Sequence, residues 1–142
     1  MNQKPIIFIL FFSIITLFAC QTKEEKAKAQ LKAGSDYLRH SQFKEAIECF
    51  NKMIELTPGN DEAYFGRGDC WYNIKEYQKA LDDFKKATEL NPNNAQAFYD
   101  RGATYEAMGN VKAACPDWIK ARDLGKPNMS DRIKICRQWG FQ

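Results

Sequence analysis

The feature that most constrains the fold of this chain is a 34-residue period that runs through most of its 142 residues. Small and apolar residues recur at that interval in five columns. The columns are Ala46, Ala80 and Ala114; Phe50, Phe84 and Trp118; Gly34, Gly68 and Gly102; Tyr37, Trp71 and Tyr105; and Leu56, Leu90 and Leu124. A period of this length is typical of supersecondary units that bury their apolar faces by stacking on one another. We therefore expect an array of three repeats.

Apolar residues inside each unit follow the spacing of helices. One stripe in the first unit consists of Phe43, Ala46, Ile47, Phe50, Met53 and Ile54. Such a stripe predicts an amphipathic helix, and each unit has room for two. The Pro58-Gly59 and Asn91-Pro92 pairs predict the ends of second helices. Each recurring glycine costs about 1 kcal/mol in a helix relative to alanine, so we expect close packing there, with the alanine column facing the glycines.

These columns resemble the tetratricopeptide repeat, and the middle unit matches it best. It carries Tyr64, Gly68, Trp71, Ala80, Phe84 and the ending Leu90-Asn91-Pro92. The resemblance implies an all-α fold, a right-handed superhelical solenoid of three helix-turn-helix repeats with a C-terminal capping helix. The implied repeats are 27–60, 61–94 and 95–126, and the capping helix falls within 127–142.

The capping helix and the third repeat carry further expectations. Asn128 or Ser130 is a suitable N-cap. Apolar surface for the last repeat would come from Ile133, Ile135, Cys136 and Trp139. Pro116 lies well inside a second helix, where proline removes a backbone donor. That helix should therefore either begin late, near Cys115, or be kinked.

The N-terminal segment differs from the rest of the chain. Lys4 precedes an apolar run from Ile6 to Ala19, which is shorter than a membrane-spanning helix needs and indicates a signal segment. Its end, Leu17-Phe18-Ala19-Cys20, resembles a bacterial lipobox. The resemblance implies a signal peptide over 1–19, lipid on Cys20, a tether over 20–26, and a place in the bacterial cell envelope at the outer membrane. An uncleaved short membrane anchor is the alternative.

The chain lacks the residue patterns of common catalytic, metal and nucleic-acid sites. Its formal charge of +3 comes from 21 basic and 18 acidic residues without a basic stripe. His40 is the single histidine, the cysteines are too dispersed for zinc, and the acidic pairs Glu24-Glu25 and Asp82-Asp83 resemble solvated helix faces. We expect no enzymatic activity, cofactor, metal, small-molecule substrate or nucleic acid.

The remaining function is binding of a protein or peptide. In tetratricopeptide arrays the first helices line the concave face, so residues off the packing columns should form one groove. The predicted groove residues are Leu31, Leu38, Phe65, Asp69, Tyr72, Tyr99, Asp100 and Glu106. Their chemistry favours a peptide with apolar anchors and some positive charge. The alternative is that Phe65 and Tyr72 fill the interior of the superhelix or pack on the N-terminal tether. The positions of the family's carboxylate clamp hold Leu31, Ser35, Gly66, Gln96 and Asp100, which do not suit a C-terminal carboxylate.

Two other functions compete with that of a protein-interaction adaptor. One is an assembly or stability factor of an outer-membrane complex, and stable copurification with one integral membrane complex would favour it. The other is a cell-wall glycan binder, because exposed aromatic rings can stack on sugars.

Four cysteines follow Cys20, and three pairings are possible. Cys115 and Cys136 are 21 residues apart, as are Cys49 and Cys70, and each pair is centred on a turn. Residues equidistant from the turn of a helical hairpin lie level with each other. We therefore predict bridges Cys115–Cys136 and Cys49–Cys70, with buried free thiols as the alternative, especially for the second pair.

Overall fold

The computed structural model describes residues 4–141, with side chains described from residue 22 onward. All regular structure in that range is helical. The helices are α1 (Lys4–Arg39), α2 (Phe43–Leu56), α3 (Asp61–Asn73), α4 (Tyr77–Leu90), α5 (Ala95–Ala107), α6 (Val111–Asp123) and α7 (Ser130–Gln138). The side chains of the predicted signal peptide and of Cys20 are outside the described range. Among the described residues, no helix combines the length and apolarity needed to cross a membrane.

The helices pack as three successive antiparallel pairs. α1 pairs with α2, α3 with α4, and α5 with α6, and each pair also contacts the next along the chain. In addition, α1 contacts α3 and α3 contacts α5, so the first helices of the pairs approach one another directly. These three helices therefore share one face of the array. The arrangement is the all-α repeat solenoid predicted from the period.

Three of the five repeat columns form the core between paired helices, namely the alanine column, the column of Phe50, Phe84 and Trp118, and the glycine column. Ala46, Ala80 and Ala114 are fully buried, as is the aromatic residue four positions after each of them. The recurring glycines face those aromatic rings. A Cβ at Gly34 would lie 2.9 Å from the ring of Phe50. The expectation that alanine faces glycine was therefore incomplete, because the longer aromatic side chain reaches the opposite helix.

Asparagine side chains cap the N-termini of three helices. Asn60, Asn94 and Asn110 each accept a hydrogen bond from the backbone N–H three residues later, at 3.0, 3.0 and 3.1 Å. These bonds satisfy donors that the first helical turn leaves free. α4 ends at Leu90, directly before the stop signal Asn91-Pro92, and α2 ends at Leu56, with Thr57 between it and the stop signal Pro58-Gly59.

Two local predictions in the C-terminal third need correction. The N-cap of α7 is Met129, which makes no side-chain capping bond, so neither Asn128 nor Ser130 caps this helix. Asn128 instead adopts a left-handed turn conformation with φ 59°. α6 begins at Val111, so it does not start late at Cys115. Pro116 lies inside α6 on its exposed side, where the missing hydrogen bond borders solvent.

Two arginines tie consecutive helices together. Arg67 on α3 donates to both carboxylate oxygens of Asp83 on α4, at 2.8 and 2.7 Å, and also to Asn51 on α2. One repeat later, Arg101 makes the same forked contact with Asp117. Asp83 is 6% exposed, so the interpretation of the Asp82-Asp83 pair as a solvated face was wrong for Asp83. A buried carboxylate requires such a partner.

The terminal helix covers the last repeat with one of its faces. Ile133 and Cys136 are buried against α6 together with Met129. Ile135 and Trp139 are 37% and 54% exposed, so they do not contribute the packing surface expected of them. Their positions fall on the outer side of this short helix.

Candidate interaction groove

A cavity of about 320 Å³ lies on the face formed by α3 and α5, with α7 at one end. We call it the groove pocket. Its walls combine aromatic rings, carboxylates and one arginine. The lining residues are Asp69, Tyr72, Asn73, Phe84, Tyr99, Asp100, Ala103, Glu106 and Arg132. Such a mixture of apolar surface and a few polar groups is typical of a binding site.

Two carboxylates of the pocket lie on adjacent first helices. Asn73 donates a hydrogen bond to Asp69, and Gln96 donates to both oxygens of Asp100 at 2.9 Å. Burial raises the pKa of Asp100 to about 6, and the charge of Asp69 contributes in the same direction. Burial also raises the pKa of Asp69. No described side chain forms an ion pair with Asp69 or Asp100, and the charge of Lys126 acts on Asp100 from a greater distance and lowers its pKa. The two carboxylates together favour a cationic ligand.

Tyrosine rings form the apolar part of the pocket. Tyr72 on α3 packs against Tyr77 with ring centroids 5.7 Å apart. Burial raises the pKa of the Tyr72 hydroxyl, so this group stays neutral at physiological pH. The ring of Tyr99 on α5 lies 4.6 Å from the Lys126 ammonium and 4.9 Å from the Arg132 guanidinium. Both rings can contact an apolar or cationic side chain.

The structure brings together five of the eight predicted groove residues: Asp69, Tyr72, Tyr99, Asp100 and Glu106. The other three do not line the pocket. Leu31 and Leu38 pack against the buried cluster that contains Ile47 and Phe50. Phe65 packs on Phe84 with ring centroids 5.9 Å apart. These three were predicted from their register on the first helices, but the register alone does not show how deeply each side chain packs.

The pocket also contains residues that the sequence did not indicate. Phe84 belongs to a core column, yet it also lines the cavity. Arg132 comes from α7, outside the repeats, so no repeat column could have located it. Arg132 and Glu106 are 26 residues apart, so the spacing of residues within one helix does not predict their contact.

The cysteines differ between the two ends of the array. Cys115 on α6 and Cys136 on α7 form a disulfide with a Cα separation of 5.4 Å. Cys49 and Cys70 are free and buried, so the structure does not contain the predicted second bridge. Cys70 packs into the cluster of Ala46, Ile47 and Phe50, which Cys49 does not join. Burial raises the pKa of Cys70 to about 12, which keeps this thiol protonated and unreactive.

Among the residues that the structure describes, no group of three or more histidine, cysteine or acidic residues could hold a metal ion. His40 is exposed, and its Nδ1 lies 2.7 Å from the carbonyl oxygen of Asp36 one turn earlier. It is remote in sequence from the residues of the groove pocket.

Comparison with known proteins agrees with the repeat architecture. Two models of the tetratricopeptide repeat match residues 31–95 and 84–115, which together span more than half of the chain. The crystal structure of MamA is 30% identical over 70% of this chain, with a TM-score of 0.68, and the match covers 58% of MamA. This chain therefore corresponds to little more than half the length of that relative.

Two smaller domains match over nearly their whole length. The tetratricopeptide domain of Arabidopsis OM64 is 23% identical, with a TM-score of 0.76 over 82% of this chain and 98% of that domain. The first such domain of Spaghetti (RPAP3), solved with the HSP90 peptide SRMEEVD, is 24% identical, with a TM-score of 0.74 over 80% of this chain and 92% of that domain. At these identities the likeness shows the fold alone.

Proposed function

Because this chain belongs to the tetratricopeptide-repeat family, we propose that it is a non-catalytic adaptor that binds a protein or peptide segment in the groove pocket. The observation that carries this proposal is the pairing of two tyrosine rings with two half-buried, unpaired carboxylates in one cavity. Repeat arrays use their concave face for extended ligands, which agrees with a site on α3 and α5.

The partner should present apolar anchors and positive charge. The Spaghetti domain was solved with the peptide SRMEEVD, which ends in acidic residues. A ligand of that kind would bring its carboxylates close to Asp69 and Asp100, and the repulsion would weaken binding. A lysine or arginine would instead form a charge-assisted hydrogen bond with the same oxygens. The groove therefore suits a basic peptide.

Binding of a basic peptide should depend on pH because of Asp100. Its pKa of about 6 in the free protein means that it carries a partial proton in mildly acidic solution. A bound cation favours the ionised carboxylate, so binding releases that proton and affinity rises as the pH increases through about 6. This dependence would separate a site at Asp100 from a site elsewhere on the array.

A pair of designed peptides tests the proposal. Both carry the same leucine and phenylalanine anchors, with lysine at the spacer positions of one and glutamate in the other. We expect the lysine peptide to bind more tightly, and the substitutions Asp69→Asn and Asp100→Asn to weaken it by about 1 kcal/mol or more each. Asp82→Asn, on the exposed side of α4, is the control. Preference for the glutamate peptide would refute the proposed partner chemistry.

The aromatic part of the groove has its own test. Replacing Tyr72 and Tyr99 with alanine should weaken binding of the lysine peptide by more than 1 kcal/mol at the stronger position. Tyr37→Ala removes an exposed ring that does not line the pocket and should leave affinity unchanged. Undiminished binding by a folded double variant, judged by its helical circular dichroism, would move the site to another face.

We further propose that the adaptor is held on the bacterial cell envelope by lipid on Cys20. The support is the sequence Leu17-Phe18-Ala19-Cys20 behind a short apolar segment. Several acyl chains on one residue anchor a protein stably, whereas one chain binds weakly. Cys20→Ser should leave a longer, unacylated precursor, detected by mass spectrometry of membrane fractions. Normal processing and membrane retention of that variant would contradict the proposal.

A further inference from the structure

Arg132 is the one cationic residue among those that line the groove pocket. It extends from α7 and forms an ion pair with Glu106 on α5, with Nη2 and Oε2 3.2 Å apart. Its guanidinium also lies over two aromatic rings, 4.9 Å from the centroid of Tyr99 and 5.0 Å from that of Trp118. One arginine therefore contacts a carboxylate and a tyrosine that a basic ligand would also use.

The helix that carries Arg132 is covalently linked to the last repeat. The disulfide between Cys115 and Cys136 joins α7 to α6, and both cysteines are fully buried. Ile133, next to Arg132 in the chain, is buried in the same cluster as Trp118. A disulfide restricts the unfolded chain and thereby stabilises the folded arrangement of the two helices. α7 is therefore a fixed part of the groove, and its arginine is presented at a high effective concentration.

The contacts of Arg132 do not satisfy all of its polar groups. Its Nε is buried and has no hydrogen-bond partner. Its side chain keeps 30% of its surface exposed, and that of Glu106 keeps 41%. An ion pair with this much solvent contact contributes little free energy, so a ligand can displace it.

We propose that Arg132 occupies the position beside Glu106 and Tyr99 in the groove pocket that a basic side chain of the ligand would otherwise take. The inference rests on the proposed binding of a basic peptide. While Arg132 is in place, the carboxylates left for the ligand are Asp69 on α3 and Asp100 on α5. Arg132 thereby lowers the affinity for basic ligands and directs the ligand's basic residue to Asp69 and Asp100.

The test uses the full chain and a single-residue probe, N-acetyl-arginine N-methylamide, followed by NMR titration. Its citrulline counterpart, which has the same shape without the charge, is the matched probe. The variants are Arg132→Met, which keeps an apolar side chain beside Trp118, and Arg132→Lys, which keeps the charge. Arg137→Met removes the same charge from an exposed position of the same helix and is the control.

We expect Arg132→Met to bind the arginine probe about five- to tenfold more tightly than the native chain, with the strongest shifts at Tyr99 and Glu106. Arg132→Lys and Arg137→Met should stay within twofold of the native chain, and the citrulline probe should show no gain. Equal or weaker binding by folded Arg132→Met, with measurable binding at Asp69 and Asp100, would overturn this inference and leave the adaptor proposal standing. No binding of the arginine probe to any variant would overturn both.

Discussion

At Gly102 the structure predicts a clear loss of stability when a single methyl group is added. In Gly102→Ala, the added Cβ would lie 2.5 Å from Nε1 and 2.6 Å from Cδ1 of Trp118, and 3.2 Å from the carbonyl oxygen of Ala114. Ordinary carbon contacts are about 3.5–4.0 Å, so the ring or the helix must move. Trp118 is fully buried in a cluster that includes the disulfide, which leaves it little room.

The size of the effect follows from two opposing terms. Overpacking a well-packed core costs about 1–3 kcal/mol. Alanine regains up to about 1 kcal/mol of helix propensity relative to glycine in α5. The net loss in the free energy of unfolding should be about 1–2 kcal/mol. With a urea m-value of about 1.5 kcal/mol/M, the unfolding midpoint falls by about 1 M.

Gly59→Ala is the matched control, because it is the same substitution in open space. No atom outside its chain neighbours lies within 4 Å of a Cβ at Gly59, and its φ is not positive. The change should be neutral or stabilise the protein by about 0.5 kcal/mol through the unfolded state. Urea titrations followed by circular dichroism, with the disulfide intact, compare the two variants. A midpoint for Gly102→Ala at or above that of Gly59→Ala would refute the packing argument.

Two further predictions concern ionisation and thiols. The folded pKa of Asp100, about 6, lies above its ordinary value of 3.8, so its protonated form stabilises the fold at low pH and this contribution is lost as pH rises from about 4 to 6. Between pH 4 and pH 7, the free energy of unfolding of Asp100→Asn should therefore rise by about 1–2 kcal/mol relative to that of the native chain, measured by urea titration. A difference that stays constant with pH would contradict the raised pKa. For the thiols, alkylation in denaturant without reductant should label Cys49 and Cys70 and leave Cys115 and Cys136 unlabelled until reduction. Labelling of all four would show that the bridge is absent.

The sequence by itself determined the repeat architecture. A 34-residue period repeats the same local pattern, and local patterns fix helices because each turn depends on residues three or four positions apart. The period therefore placed the buried alanines and the buried column of Phe50, Phe84 and Trp118 correctly. It also predicted groove residues on the first helices, and five of these eight residues line one cavity. The matching stop signals located the ends of α2 and α4.

The tertiary structure alone decided which side chains meet across the chain. The sequence shows that Arg67 and Asp83 recur with the period, but the meeting of the two groups depends on how closely α3 and α4 approach. Equal distance from a turn predicted two bridges, whereas the folded chain contains the Cys115–Cys136 bridge and leaves Cys49 and Cys70 free. Arg132 enters the pocket because α7 folds back over the last repeat, and no column of the array contains it. The raised pKa of Asp100 likewise arises from burial between helices, which a linear pattern does not specify.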